Sequence, residues 1–274
     1  MPLTLAVNRA FLYGEASTTC SLLKRGKILF WEDHLDRLEQ SWLSFYPQCS
    51  PSLLRGKIQK NVDRIPFISH DHYVKICLFT NDWGRKFDRE KANILPNILL
   101  FGGEYSPSKA LIHLKTFHKK TPKEKSYKRP YYLDELQDRS MAKTLSYSDI
   151  LYISPEGFVL EASLSNVFFI YQDQVFTPKL SPFILAGIAR KHFIQMLKKH
   201  DIPLIQTDIH QSELVNMEGV LLTNSLSQIS MAESLDKRKL HSPLGKKLQR
   251  LYIESCEGYF NPHEKRENHF MSSL

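Results

Sequence analysis

Apolar positions along the first hundred residues change period several times, the pattern of strands and helices alternating in one mixed unit. Ser21-Leu22-Leu23-Lys24-Arg25-Gly26-Lys27-Ile28-Leu29-Phe30 predicts a hairpin, with Arg25-Gly26 at the turn where positive φ is needed. Beyond Asp33, a candidate helix cap, Leu35, Leu38, Trp42 and Phe45 recur along one helical face, and Arg37 falls near the start of that helix. Strand-like runs follow at 73–79 and 97–101, separated by a polar loop through Asp82-Trp83-Gly84-Arg85. Gly102-Gly103-Glu104-Tyr105-Ser106-Pro107-Ser108 then predicts the end of the sheet and a linker between domains.

The second half opens with a strand at 110–117 and a basic loop. A helix from 132 to about 145 follows, with acidic residues early and Lys143 late. A hairpin at 150–161 turns at Pro155-Glu156-Gly157, and residues 166–171 and 174–177 form another strand pair. A helix at 188–200 is entered through Leu185-Ala186-Gly187-Ile188-Ala189-Arg190. There a glycine bend and unpaired helix-start N–H groups make a ready site for a phosphate. A strand at 220–223 ends in the polar turn Asn224-Ser225-Leu226-Ser227-Gln228-Ile229, no internal repeat is visible, and 261–274 reads as a frayed tail.

Composition narrows the class. With 274 residues, 42% of them hydrophobic and 11% aromatic, the chain can bury real cores. The opening Met1-Pro2-Leu3-Thr4-Leu5-Ala6-Val7-Asn8-Arg9 lacks a signal-peptide pattern and no run approaches the length of a membrane span, so a cytoplasmic protein without membrane contact is expected. Cys20, Cys49, Cys77 and Cys256 are too scattered for a disulfide framework or a zinc knuckle, and no metal is expected. A net charge of +8 points to an anionic partner. The basic stretch 115–129 carries aromatics but no nucleic-acid motif, so it reads as a solvated loop or as a rim for a small anionic substrate rather than as a nucleic-acid site.

The chemistry concentrates in Lys128-Arg129-Pro130-Tyr131-Tyr132-Leu133 and, 33 positions after the lysine, Glu161-Ala162-Ser163-Leu164-Ser165-Asn166. An amine able to form a Schiff base and a carboxylate able to hold a pyridinium proton are the two groups pyridoxal phosphate most needs. Read from residues alone, Lys125 and Lys143 rival Lys128 for the amine. Arg37 and Glu161 could equally be surface charges, and Gly187 and Ser225 a bend and a turn residue.

From about Phe11 to Leu235 these motifs together resemble the fold-type IV pyridoxal phosphate enzymes, which include aminodeoxychorismate lyase and the D-amino-acid and branched-chain aminotransferases. The family pattern is a catalytic lysine, Tyr-Leu or Leu shortly after, a helix, a strand pair with glycine at the turn, and Glu-x-x-x-Ser-Asn before an apolar strand. It falls on Lys128, Tyr132-Leu133, Gly157, and Glu161 with Ser165-Asn166. The resemblance implies that Lys128 is the catalytic amine, that Glu161 holds the cofactor ring nitrogen with Asn166 beside it, and that Tyr132 or Tyr131 meets the ring hydroxyl. Arg37, the Gly187-Ile188-Ala189 turn and Ser225 would bind the cofactor phosphate.

Thr223-Asn224-Ser225-Leu226 is more typical of the lyases, whereas the aminotransferases favour Thr-Gly-Thr-Ala at that turn. Departures lie at Gly14-Glu15-Ala16-Ser17-Thr18-Thr19-Cys20 and at residues 80–87, which keep only the family's Gly84-Arg85. Thr19, Arg85 and Asn224 are the expected substrate contacts. The implied fold is mixed α/β with a small domain at 1–102, a linker at 103–108 and a cofactor-binding domain at 109–274, the cofactor at their junction, in a homodimer. The implied activity is conversion of 4-amino-4-deoxychorismate to 4-aminobenzoate and pyruvate, with an aminotransferase or a non-catalytic cofactor-binding homologue as alternatives.

Overall fold

The structure, a computed structural model, describes residues 9–65, 71–80, 95–108, 110–125 and 127–261. The loop expected to carry Arg85 and the tail after Asn261 lie outside these residues. The chain forms two compact units, one of residues 1–106 with 127–132, the other of residues 107–126 with 133–274.

In the first unit the order is α1 (Arg9–Tyr13), β1 (Ala16–Lys24), β2 (Lys27–Ile28), α2 (Trp31–Phe45), α3 (Pro51–Val62), β3 (His72–Phe79) and β4 (Asn97–Glu104). The strands form one antiparallel sheet in the order β2-β1-β3-β4. The predicted hairpin is present, and Arg25 and Gly26 take φ of 53° and 72° at its turn. Helix α2 begins earlier than Asp33. Phe30, left-handed at φ 53°, precedes it without a side-chain cap, and Asp33 lies in the first turn, where its charge favours the helix N-terminus.

Leu35, Leu38, Trp42 and Phe45 are all buried, packing with Leu54 and Ile58 of α3 and Val74, Ile76 and Leu78 of β3. The expected stop at Gly102-Gly103 is overturned. Strand β4 continues to Glu104, with Gly103 opposite Tyr73 and Gly102 opposite Val74. The glycine at 102 is sterically required, because a Cβ there would come 2.2 Å from the Tyr73 carbonyl oxygen.

The second unit contains β5 (Ile112–His118), α4 (Leu133–Thr144), β6 (Asp149–Ile153), β7 (Val159–Ala162), β8 (Asn166–Tyr171), β9 (Gln174–Pro178), α5 (Ile188–Lys199), β10 (Leu204–Thr207), β11 (Gly219–Asn224), β12 (Gln228–Leu235), β13 (Arg238–Lys239) and α6 (Pro243–Phe260). Its sheet runs β10-β9-β8-β11-β12-β5-β6-β7, with β13 on β12. Strands β7 and β8 lie five places apart in that order, yet only Ser163, Leu164 and Ser165 join them. Three linking residues reach about 14 Å at most, whereas five flat strand spacings need about 24 Å. The sheet therefore curls back on itself, and the hydrogen bond from Ala162 N–H to the Ser165 carbonyl, 2.8 Å, closes the turn.

Strands β6, β7 and most of β8 are buried on both faces, consistent with their mainly apolar runs, which only Asp149, Glu161 and Asn166 interrupt. Helix α6 repeats Leu248, Tyr252, Cys256 and Phe260 at four-residue spacing and buries all four. No helix among the described residues is long and apolar enough to cross a membrane.

Candidate active site

Glu161 sits in β7, where the curl of the sheet brings the β7–β8 turn against the entrance of α5. It is 5% exposed. Its Oε2 accepts from Asn166 Nδ2 and from the Leu185 N–H, both at 3.0 Å, and its Oε1 accepts from Lys125 Nζ at 2.7 Å. Burial pushes the carboxyl group's pKa up, against the pull of Lys125 and the Leu185 N–H. For Lys125 burial acts downward, and the charges of Glu161 and Glu135 outweigh it, so its ammonium form is favoured. Asn166 Nδ2 also donates to the Leu185 carbonyl, 2.9 Å, so one side chain ties the carboxylate to the α5 entrance.

That entrance is built tightly. Gly187 precedes α5 at φ −71°, an ordinary value, so its need is for space rather than for an unusual backbone. A Cβ at 187 would fall 2.0 Å from Asn166 Oδ1. The helix has no side-chain cap, leaving the N–H groups of Ile188 and Ala189 as terminal donors. Arg190 anchors the first turn by donating to the Pro178 carbonyl at 3.1 Å and Gln206 Oε1 at 2.8 Å.

Thr223 is paired with Asn166 across β11 and β8, and its Oγ1 is buried without a hydrogen-bond partner. Asn224 then shapes the following turn. Its Nδ2 donates to Ser165 Oγ at 3.0 Å and its Oδ1 accepts from the N–H groups of Leu226 and Ser227 at 2.9 and 2.8 Å, with Ser225 buried inside the turn. Through Asn166 and Ser165 the hydrogen bonds link Glu161 and the Gly187-Ile188-Ala189 entrance to the turn of Asn224 and Ser225. The unsatisfied Thr223 hydroxyl, the uncapped helix start and the lack of room for a side chain at Gly187 suit an anionic group such as a phosphate. The buried carboxylate suits a protonated ring nitrogen.

The remaining predicted residues, Thr19, Arg37, Lys128 and Tyr132, belong to the first unit. Arg37 donates to Thr19 Oγ1 at 2.6 Å, and Thr19 Oγ1 lies 2.5 Å from His34 Nδ1. Desolvation lowers the Arg37 guanidinium to about 10, still charged at neutral pH, and its Nε is buried without a hydrogen-bond partner. The Lys128 carbonyl accepts from the Thr18 N–H at 3.0 Å, fixing the 127–132 segment on β1. Burial raises the Cys20 thiol while the charges of Lys128, Lys75 and Arg37 act in the opposite direction. Lys75 Nζ also lies 5.6 Å from the Tyr132 ring centroid.

Lys75 does not stand out in the sequence, whereas His34 and Thr223 lie within motifs of the resemblance without a role assigned to either. Lys75 could have been found from the alternation of β3, which sets it on the face opposite Val74 and Ile76. Lys125, a rival by composition alone, is the lysine in contact with Glu161.

A curled mixed sheet whose carboxylate backs onto a phosphate-type helix start defines the class of fold and site. Residues 18–235 match the family model for amino-transferase class IV, and the chain belongs to that family. Among curated proteins it is 24% identical over 252 residues to a probable branched-chain-amino-acid aminotransferase of Aquifex aeolicus, covering 87% of this chain and 80% of the relative. Among solved structures it is similar to a putative 4-amino-4-deoxychorismate lyase of Legionella pneumophila (TM-score 0.74, 24% identity, 90% of this chain and 93% of the other). An aminotransferase from Brucella abortus, solved with the cofactor PLP bound, gives a TM-score of 0.76 at 18% identity, covering 92% of each chain.

Proposed function

We propose that this protein is a pyridoxal 5'-phosphate-dependent aminodeoxychorismate lyase, converting 4-amino-4-deoxychorismate to 4-aminobenzoate and pyruvate in the cytoplasm as a homodimer. The observation that carries the reading is the turn after β11. It has the lyase-type Thr-Asn-Ser-Leu sequence, and Asn224 is committed through both ends of its amide to holding that turn against Ser165. The likeness to the Legionella protein over nearly the full length of both chains supports it.

Bound here, the cofactor would supply an electron sink for the carbanion left when a proton is lost beside the substrate amine. Glu161 would hold the ring nitrogen protonated. Ile188 and Ala189 N–H groups, Ser225, Thr223 and Arg37 would bind the phosphate, and Tyr132 would hydrogen-bond the ring hydroxyl. Lys128 Nζ would take the proton from the amine-bearing ring carbon and return one to the methylene carbon of the departing enolpyruvyl group. The ring carbon–oxygen bond breaks, the ring becomes aromatic, and pyruvate leaves with no net gain or loss of atoms. Thr19, Asn224 and Arg85 are the proposed substrate contacts.

The test is 4-aminobenzoate formation from aminodeoxychorismate by the purified, cofactor-loaded protein, with Lys128→Ala as control. Product from the native protein and none from the variant supports the reading, and equal turnover by both overturns the role of Lys128. A second reading, transamination of branched-chain amino acids, is favoured by the Aquifex relative. Release of 2-oxo acid from valine or leucine, with no 4-aminobenzoate from aminodeoxychorismate, would establish it instead.

A further inference from the structure

Lys125 has no part in the reaction proposed above, yet its ammonium pairs with Glu161 at 2.7 Å. The two oxygens of that carboxylate differ in what they have left to accept. Oε2 already takes two N–H donors, from Asn166 and Leu185, while Oε1 is engaged by the Lys125 ammonium at 2.7 Å. A second carboxylate waits close by, since Glu135 Oε1 of α4 stands 3.7 Å from the same Nζ. Lys125, Glu135 and Glu161 have side chains 23%, 15% and 7% exposed, so the ammonium has two acidic neighbours and little water.

We propose that Lys125 is a resident counter-ion for Glu161, competing with the cofactor's protonated ring nitrogen for Oε1 and moving onto Glu135 when the cofactor binds. This rests on the reading that Glu161 holds the cofactor ring. A buried carboxylate without a cation is costly, so the cofactor-free protein needs a substitute for the ring's positive charge, and Lys125 provides it. The substitute must also leave. Glu135 gives the displaced ammonium a partner within a short side-chain swing, so the exchange conserves ion pairs. Lys125 is therefore a positioning residue, keeping Glu161 ionised and in place before the cofactor arrives.

The test is equilibrium binding of pyridoxal 5'-phosphate, followed by fluorescence, with thermal unfolding of the cofactor-free protein. Lys125→Met removes the competitor, so the cofactor should bind roughly three- to tenfold more tightly while the cofactor-free protein loses thermal stability. Glu135→Gln removes the alternative partner and should weaken binding by a similar factor, an effect that disappears when Lys125→Met is also present. Lys125→Gln serves if the methionine variant does not fold.

Weaker or unchanged binding in the lysine variants overturns the proposal, as does an effect of Glu135→Gln that persists without Lys125. Borohydride trapping of cofactor on Lys125 rather than Lys128 overturns it together with the assignment of Lys128. Glu161→Gln separates the two levels. If it leaves binding unchanged, the reading of Glu161 as the ring's partner fails. If it weakens binding while the Lys125 variants do so too, only the competition fails.

Discussion

Asn166 does two jobs with one amide nitrogen, donating to the Glu161 carboxylate at 3.0 Å and to the Leu185 carbonyl at 2.9 Å. Asn166→Ala should therefore cost about 1–3 kcal/mol, the range for leaving buried polar partners unsatisfied, as measured by urea unfolding. Gly187→Ala should destabilise as well, because its new methyl would meet Asn166 Oδ1 at 2.0 Å, and it should weaken binding of inorganic phosphate or cofactor at the α5 entrance. A variant that unfolds at the native urea midpoint and binds normally would show that the entrance relaxes freely. At this scale the Glu161 cluster was legible, because Glu-x-x-x-Ser-Asn is a local pattern whose members share one turn. Lys125 was not, because its contact with Glu161 spans 36 positions and depends on how the segment before Ser126 is laid down.

Single elements show where local rules were enough and where tertiary fit overrode them. The α2 stripe and the Arg25-Gly26 turn follow from periodicity and backbone preference, and both appear where predicted. The extension of β4 through Gly102-Gly103 goes against propensity, and its reason lies in the neighbouring strand, invisible in the local sequence. Two glycines separate these effects. Gly56 lies within α3, where an added Cβ meets nothing within 4 Å, so Gly56→Ala should stabilise by about 0.5–1 kcal/mol through helix propensity. Gly102→Ala should destabilise, since its Cβ would be driven to 2.2 Å from the Tyr73 carbonyl oxygen. Chemical denaturation of the two variants checks both signs. Helix α6 went unpredicted although Ser242 caps it by accepting from the Gly245 N–H at 3.0 Å and Pro243 opens it, both readable start signals.

Across the whole molecule, pH also acts through groups that make no contact with the Glu161 cluster in the hydrogen bonds and ion pairs described above. Asp236, in the turn between β12 and β13, accepts from Lys115 Nζ at 2.7 Å and from the Thr116 N–H and hydroxyl at 3.1 and 2.6 Å. Burial alone would raise this carboxyl group, but those donors outweigh it and hold it below the ordinary aspartate value. A depressed acid stabilises the fold above its unfolded pKa and loses that contribution as pH falls through its folded value. Asp236→Asn should therefore lower Tm near neutral pH, and the gap from the native protein should close as pH falls below the ordinary aspartate value. A gap that stays constant with pH would show that the loss is one of shape rather than of charge.

The path of the chain between the two units bears on how the protein is made. Residues 107–126 belong to the second unit, and the chain then returns for residues 127–132 before leaving the first for good. That short return supplies the Lys128 carbonyl to the Thr18 N–H and sets the Tyr127 ring against Phe45 at 4.8 Å. During synthesis the first unit is thus unfinished when its own first 106 residues have left the ribosome. It waits for a stretch translated only after the second unit has begun, and a nascent chain stopped at 106 should remain more open to protease than one released at 132.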